Sequence, residues 1–290
     1  MSNTDHSARV AVERWPAPAK LNLFLHITGH RPDGYHLLQS AIQFVDICDE
    51  LSFSIRSDGH IRCVNTDRRI SRREDLALRA AELLQQRCSV DFGADIHLKK
   101  VIPTGSGLGG GSSDAATVLL VLNRMWECGL DPEDLEMLGG ELGADVPVFV
   151  RGEASWVEGV GEPRHAMDFP EVWYVVVFPG VHLDTRQMFM DPALVRDCPP
   201  ISAGEFSLQH THNVFEPIAR RQTEVDRAWQ WLSQYSQVRL TGSGSSLFAS
   251  CESRHRAEVI AADCPENFTV FVAKGMNRSP VYSLCRYNSV

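Results

Sequence analysis

The clearest chemistry in the chain lies in Pro103-Thr104-Gly105-Ser106-Gly107-Leu108-Gly109-Gly110-Gly111-Ser112-Ser113-Asp114-Ala115-Ala116. Five of the seven residues from 105 to 111 are glycine. Glycine tolerates positive φ and carries no side chain, so successive backbone N–H groups can close around an anion. A helical pattern follows at once. The first N–H groups of a helix lack internal partners, and its dipole favours negative charge there. A glycine loop that runs into a helix start is therefore a phosphate cradle. The competing reading is a flexible linker, but a linker seldom separates a strand from a buried helix.

Several cradles share this composition. A Walker A loop needs Lys after its last glycine; here Gly105-x4-Gly110 is followed by Gly111, so that reading fails. A dinucleotide fingerprint matches at Gly105, Gly107 and Gly110, with Glu127 about twenty residues on. That pattern alone is weak, because the preceding strand is only half apolar and no βαβ series follows. It nevertheless keeps an NAD(P)-linked oxidoreductase, and a nucleotide sensor without catalysis, as alternatives. A protein-kinase loop would be followed by HRD and DFG, and neither follows it.

The elements that must position the loop can be read from periodicity. Leu21, Leu23, Leu25 and Ile27 alternate with Asn22, Phe24 and His26, which predicts a strand with one face on a core. Pro32-Asp33-Gly34 marks a turn. Leu51, Phe53 and Ile55 alternate again, and Ile61 with Cys63 adds a short strand. Leu76, Ala80, Leu83 and Leu84 recur at helical spacing after a capping Asp75. Ile96 and Leu98 return to strand, and a nearly buried helix runs from about 112 to 128. Asp131-Pro132-Glu133 opens a helix that ends near Gly143. Beyond residue 163 come a strand at 172–178, a helical zone at 213–235, strands at 238–240 and 247–250, a helix at 254–262 and a strand at 268–273. That order, β, α, β, β, α, β, fits a ferredoxin-like layout.

Composition sets outer limits. The formal charge of −9 excludes a general nucleic-acid binder, which needs a basic face. The longest apolar run, Val172 to Phe178, is far short of the roughly 20 residues that span a bilayer, so no membrane partner is expected. The eight cysteines form no CxxC pair and no export signal is visible, which fits a cytoplasmic protein. Residues 1–14 read as a frayed tail. His210-x-His212 is a weak metal signal and reads as a polar turn. Trp229 and Trp231 read as helix packing.

The run Pro103-x-Gly105-x-Gly107-Leu108-Gly109-Gly110-Gly111-Ser112-Ser113 closely resembles the phosphate motif of the GHMP small-molecule kinases. Leu240-Thr241-Gly242-Ser243-Gly244 resembles the superfamily's third motif. Pro18-Ala19-Lys20-Leu21-Asn22-Leu23, Arg31-x-Asp33-Gly34-Tyr35-His36 and Leu142-Gly143-Ala144-Asp145-Val146-Pro147 are similar to the branch that phosphorylates 4-diphosphocytidyl-2-C-methyl-D-erythritol. The resemblance runs from about Trp15 to Pro280. It implies an α+β, two-domain GHMP kinase fold. Residues 1–162 would be an ATP-binding domain like ribosomal protein S5, and residues 163–290 a ferredoxin-like domain.

The reaction implied is transfer of the ATP γ-phosphoryl group to the 2-hydroxyl of that alcohol, in the non-mevalonate isoprenoid pathway. By resemblance Lys20 and Asp145 are catalytic. Taken alone, Asp145 reads as the cap of a short helix around Pro147, and Lys20 as a strand-end surface lysine. Lys100, Leu76 and Asp75 match the adenine end; the family favours Asn where Asp75 stands, and an ionised Asp cannot donate. Asn22, Tyr35, His36, Thr185 and Phe189 match the diphosphocytidyl site, with Tyr35 and Phe189 sandwiching the cytosine and His36 reading its edge. Gly242, Ser243 and Gly244 would abut the glycine loop. Asp184 is an extra carboxylate tolerable only if it faces solvent. Mg²⁺ is implied by ATP chemistry, with Ser112 or Ser113 able to touch it but no ligand cluster in view. The resemblance leaves monomer and homodimer both open. Local attraction for two anionic nucleotides would come from loop N–H groups, the helix start, Lys20, Lys100 and Mg²⁺.

Overall fold

The computed structural model describes residues 13–65, 71, 74–207 and 211–287. The tail reading at 1–12 and His210 fall outside the described residues. Strand β1 (Trp15–His30) and strand β2 (His36–Arg56) form a long antiparallel hairpin around the Pro32-Asp33-Gly34 turn. Strand β3 (Ile61–Asn65), helix α1 (Leu76–Cys88) and strand β4 (Gly93–Lys99) then make a parallel crossover, with β4 also antiparallel to the far end of β2. The Asp75 carboxylate caps α1 by accepting from Ala77 N at 3.0 Å and Leu78 N at 3.3 Å.

After the glycine loop come α2 (Gly110–Met125), α3 (Pro132–Leu142) and α4 (Val146–Arg151). Every residue of α2 from Ser113 to Leu122 is buried, as an apolar pattern on all sides requires. Strand β5 (Ser155–Gly159) pairs with β2 and with strand β6 (Glu162–Ala166).

The rest of the chain runs β7 (Trp173–Phe178), α5 (Thr185–Met190), a single 3₁₀ turn (Ala203–Glu205), α6 (Glu216–Ala219), α7 (Thr223–Leu232), β8 (Val238–Leu240), β9 (Leu247–Cys251), α8 (Arg254–Ala262), β10 (Thr269–Met276) and α9 (Pro280–Tyr287). Its strands lie in the order β10-β7-β9-β8, all antiparallel. Gly275 and Met276 of β10 pair with Val45 and Phe44 of β2, which joins both halves into one sheet. The architecture is α+β.

One expectation needs correcting. The β1 alternation predicted a half-buried strand, but Asn22, Phe24 and His26 are as buried as Leu21, Leu23 and Ile27. The strand crosses the middle of the molecule. Its Leu21, Leu23 and Phe24 join a core with Trp156, Tyr174 and Phe248, while Leu25 and Ile27 join the core of the second half. Of the polar residues on the alternate positions, Asn22 is bonded within the site described next, whereas both ring nitrogens of His26 are buried without a partner. The tryptophans behave as read: Trp231 packs in the second core, and Trp229 lies under the Arg220 guanidinium at 4.8 Å.

Candidate active site

A cavity of about 910 Å³ opens between the glycine loop, the β1–β2 turn and the α5 segment. All but two of the residues assigned to the site from the sequence line it. The exceptions are Leu108, whose side chain is in the core while its carbonyl accepts from Lys20 N at 3.0 Å, and Ser113, whose hydroxyl is buried without a partner.

At the centre, Lys20 Nζ stands 3.2 Å from Asp145 Oδ2. Lys20 is buried and also donates to Asn22 Oδ1; Asp145 is half-exposed to the cavity. A buried ammonium is tolerable only when paired in this way. Asp145 does open α4, but its side chain makes no cap bond. The cap reading that its position suggested is thus not how the carboxylate is used.

Asn22 is a hub. Its Oδ1 also accepts from Gly242 N at 3.0 Å, its Nδ2 donates to Ser40 Oγ at 2.8 Å, and its backbone N donates to Thr241 Oγ1 at 3.0 Å. Asn213, which no motif flagged, holds the same turn through bonds to Leu240 O at 3.0 Å and Gly242 O at 2.8 Å. The Thr241–Ser246 turn then lies directly on the glycine loop, with Ser246 N bonded to Ser106 O at 2.9 Å. Glycine is required at this contact. Gly107 has φ +81°, and a Cβ there would sit 2.3 Å from Thr241 O. Gly109, the cap of α2 at φ +74°, would place a Cβ 3.1 Å from Lys20 Cε.

At the other end of the loop, Lys100 is not a free cation. Its Nζ donates to Asp49 and, at 2.6 Å, to Asp114. Asp49 also accepts from the backbone N–H groups of Val101 and Ile102. Burial pushes the Asp114 carboxyl well above its ordinary range; Lys100 opposes the rise and Asp49 adds to it. Lys100 therefore lends the cavity little net positive charge, contrary to the expectation from its type alone. Asp75 is occupied as a cap and also accepts from Asn65 Nδ2 at 3.3 Å, so an amide stands beside the position where the family resemblance expects one.

At the far wall, the His36 ring packs on Phe189 with centroids 4.8 Å apart and planes tilted by 38°, and Phe189 meets Phe215 edge-on at 4.9 Å. Thr185 Oγ1 and Ser243 Oγ share a hydrogen bond of 2.8 Å. Tyr35 is exposed at the mouth, beside Arg31. Asp184 faces solvent and caps α5, accepting from Gln187 N at 2.8 Å. His182, also unflagged, donates through Nδ1 to Gly105 O at 3.2 Å. Among the described residues no group of three or more His, Cys, Asp or Glu could hold a metal ion. No helix there is long and apolar enough to cross a membrane.

Residues 75–153 match the family described as GHMP kinases N terminal domain, and residues 200–270 match GHMP kinases C terminal. The 4-diphosphocytidyl-2-C-methyl-D-erythritol kinase of Nitrosococcus oceani is 49% identical over 266 residues, covering 91% of this chain and 95% of that protein. That of Dechloromonas aromatica is 47% identical, covering 92% and 98%. A crystal structure of 4-(cytidine 5'-diphospho)-2C-methyl-D-erythritol kinase superposes with a TM-score of 0.80 at 32% identity, covering 91% of this chain and 99% of that one. The chain belongs to the 4-diphosphocytidyl-2-C-methyl-D-erythritol kinases of the GHMP kinase family.

Proposed function

We propose that this chain transfers the γ-phosphoryl group of ATP to the 2-hydroxyl of 4-diphosphocytidyl-2-C-methyl-D-erythritol and releases ADP. The observation that carries the reading is the Lys20–Asp145 pair, in one cavity with a glycine-loop helix start on one side and the His36–Phe189 pair on the other. Phosphoryl transfer asks the protein mainly for positioning and charge stabilisation. Asp145 accepts the proton of the acceptor hydroxyl or orients that hydroxyl. Lys20 holds Asp145 in place through their ion pair and stabilises charge on the transferring group. The loop N–H groups from Gly105 to Gly111 and the start of α2 receive the triphosphate. Leu76, Asp75 and Lys100 form the adenine end. Tyr35, His36, Thr185, Phe189 and Asn22 form the cytidine end.

Magnesium fits this site as a cation held largely by phosphate oxygens, which is its habit, with the Ser112 hydroxyl and the Asp145 carboxylate lining the same cavity. The Ser112 hydroxyl is the residue that would hold it; a Cβ on Gly143 would lie 3.9 Å from Ser112 Oγ, so this hydroxyl borders the turn leading to Asp145. Bound there, the ion would neutralise charge on the β- and γ-phosphates. The same reading divides the chain near residue 162 into an ATP-binding and a ferredoxin-like part. Helices α1–α4 share one core and α5–α8 another, which supports the division, while β1 contributes to the second core and a third core draws on both halves. A cytoplasmic location belongs to this proposal too.

The test is ADP release that depends on both the cytidine-linked alcohol and Mg²⁺, and that Asp145→Asn and Lys20→Ala reduce by orders of magnitude in kcat with the fold intact. Wild-type turnover in both variants would overturn the roles assigned.

A further inference from the structure

Arg196 meets His36 on the wall of the cavity. Its Nε donates to His36 Nε2 at 3.4 Å, its Nη1 to Leu194 O at 2.9 Å, and its Nη2 to the carbonyls of Phe189 and Asp191 at 2.8 Å each. A guanidinium has only donors and does not lose its proton. The nitrogen facing it must therefore be the bare one. In a neutral imidazole the hydrogen then sits on Nδ1. The surroundings favour the neutral ring: burial first, then His30, whose ring centroid is 4.0 Å away, and then Arg196 hold His36 below its ordinary pKa.

We infer that Arg196 is a positioning residue that fixes His36 as the neutral Nδ1–H tautomer and thereby selects the base the cavity accepts. This rests on the cytidine-linked substrate proposed above. With Nε2 engaged, Nδ1 is the ring nitrogen left to meet a ligand, and it is a donor. Cytosine has a bare N3 to accept from it, whereas uracil carries a hydrogen at N3. Donor facing donor leaves a buried polar group unpaired, and sites built this way discriminate strongly. Phe189, the ring packed against His36, is tied by its carbonyl to the same guanidinium. The stacking group and the edge-reading group are thus held by one side chain.

Two measurements on the intact chain test this. Proton–nitrogen correlation NMR of the histidine rings at neutral pH, with His36 identified by its loss in His36→Gln, reads the tautomer directly. A Nδ1–H pattern is expected; a Nε2–H pattern overturns the inference, and does so without any Arg196 variant having to fold. The second measurement compares kcat and KM for the cytidine-linked and uridine-linked diphospho-alcohols in wild type, Arg196→Ala and Arg196→Lys. Preference for the cytidine form should fall about tenfold in Arg196→Ala, carried by KM rather than kcat, with part restored by Lys. An unchanged preference in folded Arg196→Ala overturns the inference. If wild type phosphorylates neither alcohol, the proposed function is at fault, and the ring pattern still decides what Arg196 does to His36.

Discussion

The Lys20 ammonium and the Asp145 carboxylate, 3.2 Å apart, join the buried middle of β1 to the first turn of α4. Lys20 is held on its other side by Asn22, and Asn22 in turn by the Thr241–Gly242 turn. One chain of contacts therefore fixes the pair against both the glycine loop and the second half of the molecule. Asp145 makes no cap bond, but it is the carboxylate partner of the buried Lys20 ammonium, so Asp145→Asn should lower the melting temperature as well as reduce kcat by roughly 10²–10⁴. Thermal denaturation and steady-state kinetics on the same preparation check this. Wild-type kcat in the folded variant would contradict the catalytic role.

Gly107→Ala should destabilise the protein by more than about 1 kcal/mol. A side chain at φ +81° is strained, and the added Cβ would meet backbone oxygens of Thr241 and Gly244 at 2.3 and 2.9 Å. Gly111→Ala is the control, since its Cβ would meet only Leu76 Cδ1 at 3.6 Å inside a helix that favours Ala. Denaturant midpoints should fall for the first and hold or rise for the second.

The loop, the cap at Asp75, the Asp131-Pro132 helix start and the β, α, β, β, α, β order were legible because each is a local signal. Turn chemistry, capping and periodicity need only near neighbours. The site's contacts were legible only through the family resemblance. Nothing near Lys20 in sequence announces Asp145, and nothing near Asn213 announces Gly242. Alternation in β1 misled because Asn22 and His26 are polar yet buried, one satisfied by the site and the other by nothing. The type of Lys100 misled because its two carboxylate partners come from β2 and α2.

His26 gives a pH prediction. Both its ring nitrogens are buried without partners, its ring centroid is 4.7 Å from that of His212, and burial followed by the His212 charge lowers its pKa from 6.5 to about 4. The unfolded chain then binds the proton more readily than the folded one between those values. Stability should therefore decline as pH falls through that window. His26→Leu removes the titrating group and the unsatisfied nitrogens, so its melting temperature should depend less on pH below 6.5 and exceed wild type there. Parallel pH dependence in the two proteins would contradict this.

Lys100 and Asp114 should respond very unequally to substitution. Lys100→Met strands the Asp49 and Asp114 carboxyls in the interior and should cost about 3–5 kcal/mol. Asp114→Asn removes a group already held toward its neutral form, so its cost should be far smaller. A raised carboxyl pKa in the fold also means that this group withdraws stability as pH rises through its folded pKa. The Asn variant should therefore gain on wild type in alkaline buffer. Chemical denaturation at two pH values separates these outcomes.

The central claim is that the cavity brings an ATP phosphate cradle and a cytidine-linked alcohol to the Lys20–Asp145 pair. Its most direct measurement is a coupled ADP assay with ATP and Mg²⁺ across homoserine, mevalonate, galactose and 4-diphosphocytidyl-2-C-methyl-D-erythritol. The account predicts rapid ADP formation with the last of these and background with the others. Turnover of another alcohol in preference to it, or ADP formation indifferent to the acceptor, would contradict the account.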